Sequence, residues 1–193
     1  MSKIGVYGGT FDPIHNGHLI TAQAVREIRN LDKIIFIPAF VSPHKLNVIS
    51  SSNEHRLNMI NLAIEGVDYL ECSDMEIKRK DISYTIDTLT ELKKSYKEIE
   101  LIIGYDNLFK FDTWKNPQEI VKLVKLVVLK RKSIITGITN QYFDKAEFVD
   151  TPIIEISGTS IRERVKNNMP IDFLVPDKVK QYIYKNNLYK ESD

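Results

Sequence analysis

The 193-residue sequence predicts a single α/β domain, a doubly wound parallel sheet with helices on both faces. Three observations lead there. Short, continuous apolar runs recur along the chain, the pattern of strands buried on both sides. Between them lie segments whose apolar residues fall three and four apart, as amphipathic helices require. The two kinds alternate from end to end without repeat, linker or low-complexity stretch, and such alternation generates parallel strands.

The first strand is KIGVY (3–7). A helix follows, with Ile20, Ala24, Ile28 and Leu31 at i, i+4, i+8 and i+11 as its expected inward face. KIIFIP (33–38) is the second strand, and Leu57, Ile60, Leu62 and Ile64 mark a helix over 53–65. DYLEC (68–72) reads as a weaker strand, and Ile86, Leu89 and Leu92 mark a third helix. IELII (99–103) and KLVVL (125–129) are strands on either side of NPQEIVKLV (116–124), where Pro117 stands at a position that favours a helix start. PIIEI (152–156) is a second weak strand candidate. From about residue 157 a small helical part closes the chain, ending in VPDKVKQYIYKNN with Val179, Tyr182 and Ile183 as its stripe.

Composition narrows the function classes. Apolar residues make up 42% and charged residues 27%, ordinary for a globular protein, and 27 basic against 26 acidic residues leave +1. That balance supplies no electrostatic reason to expect nucleic acid or a membrane as partner. The one cysteine, Cys72, excludes an internal disulfide and reads as a small hydrophobe at a strand end. No apolar run approaches a bilayer-spanning length, and MSKIGVYGG is unlike a signal peptide, so a cytoplasmic location is expected.

In a doubly wound sheet, ligands sit beyond the carboxyl ends of the strands, and the chemistry-bearing residues fall there. GGTFDPIHNGHLITAQ (8–23) follows the first strand. It contains neither G-x-G-x-x-G nor a Walker G-K-[ST]. Gly8 and Gly9 nevertheless allow backbone N–H groups close to an anion, and Thr10 adds a hydroxyl. With Asn16 as the expected N-cap, His18 lies at the positive end of a helix, where phosphate is favoured. His15 and His18 are also spaced as a metal pair, or could simply pack locally, but neither H-E-x-x-H nor a cysteine cluster accompanies them. No G-x-S-x-G motif or nearby cysteine supports a nucleophile. A second such place is EISGTSIRERV (155–165), where Ser157, Gly158, Thr159 and Ser160 open a helix and Arg162 stands in its first turn. Ser160 and Glu163 fit a capping box.

GGTFDPIHNGH resembles the N-terminal signature of the bacterial nucleotidyltransferase superfamily, (G)-x-F-D-x-x-H-x-G-H, and Ile156, Ser157, Thr159, Ile161 and Arg162 match its I-S-x-T-x-I-R. The resemblance implies a Rossmann-like nucleotidyltransferase fold. His15, His18 and Arg162 would stabilise the transition state of nucleotidyl transfer. Gly8, Gly9, Thr10, Phe11, Ile156, Ser157, Thr159 and Ser160 would line the ATP and phosphate site.

Mid-chain residues choose the acceptor. Ser83-Tyr84-Thr85 precede a helical stripe, Gly104 and Asp106 follow a strand, Trp114 is the single tryptophan, and Pro43-His44-Lys45 follow another strand. Each alone could be an ordinary turn or core residue. In this order, from KIGVYGGTFDP to VPDKVKQYIYKNNLY, they resemble nicotinate-nucleotide adenylyltransferases. The resemblance implies that Ser83, Tyr84, Thr85 and Trp114 hold a nicotinate ring, that Gly104 and Asp106 meet ribose, and that His44 and Lys45 approach the mononucleotide phosphate. A ring bearing a carboxylate needs hydrogen-bond donors and a flat partner, which these residue types provide. The chain departs from the family at Ala39-Phe40, where amide residues are usual, and at Lys115, where tyrosine often follows the tryptophan.

The expected reaction joins ATP and nicotinate mononucleotide, with Mg²⁺ carried on the ATP, no protein-only metal site, and a homo-oligomer possible. The rivals are an adenylyltransferase of the same superfamily with another acceptor (nicotinamide mononucleotide or phosphopantetheine), a non-catalytic nucleotide sensor, and, with its fingerprint absent, a dinucleotide-dependent oxidoreductase.

Overall fold

The computed structural model describes residues 2–43, 50–130 and 140–190. Six strands, β1 (Lys3–Gly9), β2 (Lys33–Pro38), β3 (Leu70–Cys72), β4 (Glu98–Gly104), β5 (Lys125–Leu129) and β6 (Ala146–Val149), form one sheet in the order β3-β2-β1-β4-β5-β6. Every pairing is parallel, with Val6 opposite Ile35 on one side and Leu101 on the other. Among the described residues, eight α-helices connect and cover the strands: α1 (Asn16–Arg29), α2 (Asn53–Ile64), α3 (Met75–Arg79), α4 (Thr85–Leu92), α5 (Tyr105–Phe109), α6 (Pro117–Leu123), α7 (Gly158–Lys166) and α8 (Asp177–Lys185).

The continuous apolar runs are explained by burial on both faces. Along β2, Ile34 and Phe36 enter one core with α1, α2, α7 and α8, while Ile35 and Ile37 enter the other with α4 and α6. Among the described residues no helix is long and apolar enough to cross a membrane. Cys72 ends β3, and burial, reinforced by the charge of Asp74, pushes its thiol up to about 12, which disfavours the thiolate.

Three sequence expectations are corrected. The inward face of α1 is Gly17, Thr21, Ala22 and Val25, whereas Ile20 and Ile28 stay 43% and 47% exposed. Small residues let the helix lie close to the sheet, and helical spacing alone does not say which of two adjacent stripes that will be. The last strand is 146–149, not PIIEI (152–156), which forms no strand. Pro152 has no N–H for a ladder, while the edge strand AEFV carries too little apolar pattern to announce itself. In α2, Arg56 and Met59 join Ile60 and Ile64 inside, and Leu57 and Leu62 are only half-buried.

At the end of the sheet opposite the carboxyl ends, Glu100 on β4 is 1% exposed. It receives Nε and Nη2 of Arg29 at 2.8 and 3.1 Å and Lys3 Nζ at 3.0 Å, and Arg29 reaches on to Glu147 of β6. One carboxylate thereby joins β1, β4, β6 and the end of α1. Burial alone would raise its pKa, but the bonds from Arg29 and Lys3 hold it below the usual range. Its stabilising contribution is thus present above the ordinary carboxylate pKa and lost as pH falls through the lowered one. Glu100→Gln should cost about 3 kcal/mol in urea denaturation at neutral pH. Turnover at the far end of the sheet should hardly change, and a stability loss within error would remove this network from the fold's support.

Candidate active site

The strand order reverses between β1 and β4, and two cavities open at their carboxyl ends. The larger, about 640 Å³, runs toward α1 and α7, and the smaller, about 250 Å³, toward α4 and Trp114. Gly8, Gly9, Thr10 and Asn107 line both. Gly9 packs beneath the ring of Phe11, where a Cβ would stand 2.9 Å from it, whereas a Cβ on Gly8 would meet nothing within 4 Å and would occupy cavity space.

His15 and His18 line the larger cavity. His15 itself is the N-cap of α1; Asn16, expected there, begins the helix and ties it to the C-terminal part by donating Nδ2 to the Phe173 carbonyl at 2.7 Å. His18 Nδ1 accepts the backbone N–H of His15 at 3.3 Å, and the two rings stack at 3.7 Å. Phe11 and Tyr7 stand edge-on to His18 at 5.0 and 5.8 Å. Burial lowers the pKa of His15 to about 4, and burial, then the proximity of His15, lowers that of His18 well below its usual value. Both imidazoles are therefore neutral at pH 7.

The second half of this cavity comes from 140 residues further along. Ser157, not Ser160, caps α7, its Oγ accepting the Ser160 N–H at 3.1 Å. Ser160 is the third residue of a helix that starts at Gly158, so the expected capping box does not form. Arg162 donates Nη1 to the Asp12 carbonyl at 2.7 Å and Nη2 to Thr159 Oγ1 at 3.3 Å, which aims its guanidinium into the cleft wall. α7 approaches so closely that a Cβ on Gly158 would lie 2.9 Å from the Asp12 carbonyl. Ile156, Ser157 and Thr159 line the cavity with Arg162; Ser160 and Asp106 do not line either cavity, although Gly104 lines the larger.

Sequence reasoning missed what holds these parts together. Asp12, 7% exposed, accepts the Tyr189 hydroxyl at 2.7 Å and the Ser51 N–H at 3.1 Å. Arg56, 1% exposed, donates to the carbonyls of Thr10 and Ala39 at 2.7 and 2.6 Å, to the Ser51 carbonyl at 3.3 Å, and to the Asn53 side chain. A signal for Arg56 existed: it occupies a core position, four and eight residues before Ile60 and Ile64. Asn107 and Lys130, which also line the larger cavity, carried no comparable mark.

The smaller cavity gathers Ser83, Tyr84, Thr85 and Trp114. Tyr84 caps α4 and Thr85 begins it, so the positive end of that helix faces the cavity. Ser83 Oγ accepts the Phe40 N–H at 2.8 Å and thus holds the segment after β2. Trp114 rests on Phe111 with ring centroids 5.0 Å apart. Lys115 and the buried Glu76 also line this cavity. His44 and Lys45 lie outside the described residues. Among the described residues no group of three or more histidine, cysteine or acidic side chains gathers as a metal cage.

Residues 6–164 match the model of the cytidylyltransferase-like family. The chain is 42% identical to the probable nicotinate-nucleotide adenylyltransferase of Caldicellulosiruptor saccharolyticus over 196 residues, covering 98% of this chain and 100% of that one. It is 40% identical to the nicotinate-nucleotide adenylyltransferase of Bacillus subtilis, again covering 98% and 100%. In fold it is similar to the Plasmodium falciparum nicotinic acid mononucleotide adenylyltransferase complexed with NaAD, with a TM-score of 0.77, 20% identity and 98% of each chain covered. The family match and about 40% identity over nearly the whole length show that the chain belongs to the cytidylyltransferase-like family, as a nicotinate-nucleotide adenylyltransferase.

Proposed function

We propose that this enzyme transfers the adenylyl group of ATP to nicotinate mononucleotide, giving nicotinate adenine dinucleotide and pyrophosphate for NAD synthesis. One observation carries the reading: two cavities of different character meet at Gly8, Gly9 and Thr10. A triphosphate in the larger and a mononucleotide in the smaller would bring their phosphates together at that loop.

The acceptor's 5′-phosphate oxygen attacks the α-phosphorus of ATP in line. A bond forms from that oxygen to phosphorus, the bond to the bridging oxygen breaks, and pyrophosphate leaves with its electron pair. The attacking oxygen is already anionic, so no general base is needed, and catalysis consists of positioning and charge stabilisation. His15, His18 and Arg162 donate to triphosphate oxygens, and the backbone of Gly8, Gly9 and Thr10 cradles them. Ile156, Ser157 and Thr159 with the start of α7 bound the nucleotide's side of the cleft. Trp114, Tyr84 and the donors at Thr85 hold the nicotinate ring. Mg²⁺ arrives as part of the substrate, on the triphosphate, with mostly water ligands.

The neutral resting histidines have a consequence. Triphosphate charge within hydrogen-bond reach raises their pKa values, so binding ATP draws in protons, and affinity falls as pH rises through the bound-state values. Calorimetry in buffers of different ionisation enthalpy should show proton uptake near pH 7 that shrinks in His15→Asn; equal uptake in both proteins would refute the coupling.

Pyrophosphate release should be rapid with nicotinate mononucleotide and weak with phosphopantetheine; the reverse order would assign a different acceptor, and release with no mononucleotide, despite ATP binding, would mark a sensor. His18→Ala should lower kcat by about 10²-fold or more with thermal stability retained, and near-normal turnover would remove His18 from the chemistry.

A further inference from the structure

The smaller cavity contains two charged side chains among its described lining residues, Glu76 and Lys115. Glu76 is 7% exposed and fixed: Thr88 donates its hydroxyl to Oε1 at 2.6 Å, and Arg79 donates Nη2 to that same hydroxyl oxygen at 3.0 Å. Its carboxyl group belongs to the cavity lining, anchored to α4 through Thr88. Lys115 stands at the mouth. Its ammonium lies 4.4 Å over the ring of Tyr84 and 3.1 Å from an Asp87 carboxylate oxygen. Ring and carboxylate together hold the ammonium at the cavity's edge, where Lys115 and Asp87 stay 44% and 42% exposed.

We propose that Lys115 is a specificity-determining residue, which sets the preference of the acceptor pocket for a pyridine ring bearing a carboxylate over one bearing a carboxamide. The proposal rests on the functional reading above. Without Lys115, the pocket's remaining charged lining residue is Glu76, which repels a carboxylate and tolerates a neutral amide. With it, the lining charge is balanced and the mouth is cationic, so the charged ring gains and the neutral ring does not. Asp87 holds the ammonium in place and partly cancels its field. The two roles of the Lys115–Asp87 pair, charge and latch, therefore predict opposite results for Asp87.

Initial rates of pyrophosphate release are measured with nicotinate and nicotinamide mononucleotides at saturating MgATP, for the wild type, Lys115→Met, Lys115→Arg and Asp87→Asn. Lys115→Met should lower the kcat/KM ratio of nicotinate to nicotinamide substrate by roughly fivefold, through KM for the nicotinate form, as suits a half-exposed charge. Lys115→Arg should keep the ratio, and Asp87→Asn should raise it. A ratio unchanged in Lys115→Met, or falling in Asp87→Asn as it does in Lys115→Met, overturns the proposal, the second outcome marking a structural latch. A wild type that uses neither mononucleotide overturns the functional reading itself, which separates the two failures.

Discussion

The guanidinium of Arg56 has almost no contact with water, and the loop that follows the first strand is built around it. A buried cation is costly unless its donors are satisfied, and here backbone carbonyls from three segments and the Asn53 side chain accept them. Burial lowers its pKa, while the nearby Asp12 opposes that effect. The bonds tie the phosphate loop at Thr10 to the end of β2 at Ala39 and to the entry of α2. Asp12 extends the same frame, through its side chain to Tyr189 and Ser51 and through its carbonyl to Arg162. A cleft assembled from residues 8 to 18 and 156 to 162 thus has a common anchor, and its donors are positioned before any substrate enters.

Electrostatics in the cleft follow from that packing. The stacked histidines, walled by Phe11 and Tyr7, are held toward the neutral form by burial. A site with two fixed imidazolium ions would be repulsive and would destabilise the fold, whereas neutral imidazoles leave the cleft free of that cost. Arg162, fixed by Asp12 and Thr159, adds a positioned guanidinium to the cleft lining, beside Lys130. The adjoining pocket differs in character, with an aromatic side chain, a helix start and two opposed charged groups on its lining.

Most of the fold could be read from the chain because its strands are buried on both faces and so appear as unbroken apolar runs. β1, β2, β4 and β5 lie where those runs fall. The readings that failed were those in which local pattern was weak or doubled. α1 has two apolar stripes, and the one with isoleucines lost to the one with small residues. β6 is an edge strand of ordinary composition, and the more apolar PIIEI became cavity wall. Ser160 looked like a cap because S-x-x-E is a local rule, yet Ser157 took that place when α7 closed on Asp12.

The amino-acid sequence alone determined the sheet apart from its edge strand β6, the family, and the histidine and arginine motifs, since apolar periodicity and short signatures are properties of neighbouring residues. Only the tertiary structure decided that Gly8, Gly9 and Thr10 line two cavities at once, that Arg56 and Asp12 hold the cleft, and that Lys115 and Glu76 line the same smaller cavity. Those relations join residues tens to more than a hundred positions apart, and no local pattern encodes a distance that arises only when the strands pair and the helices close over them.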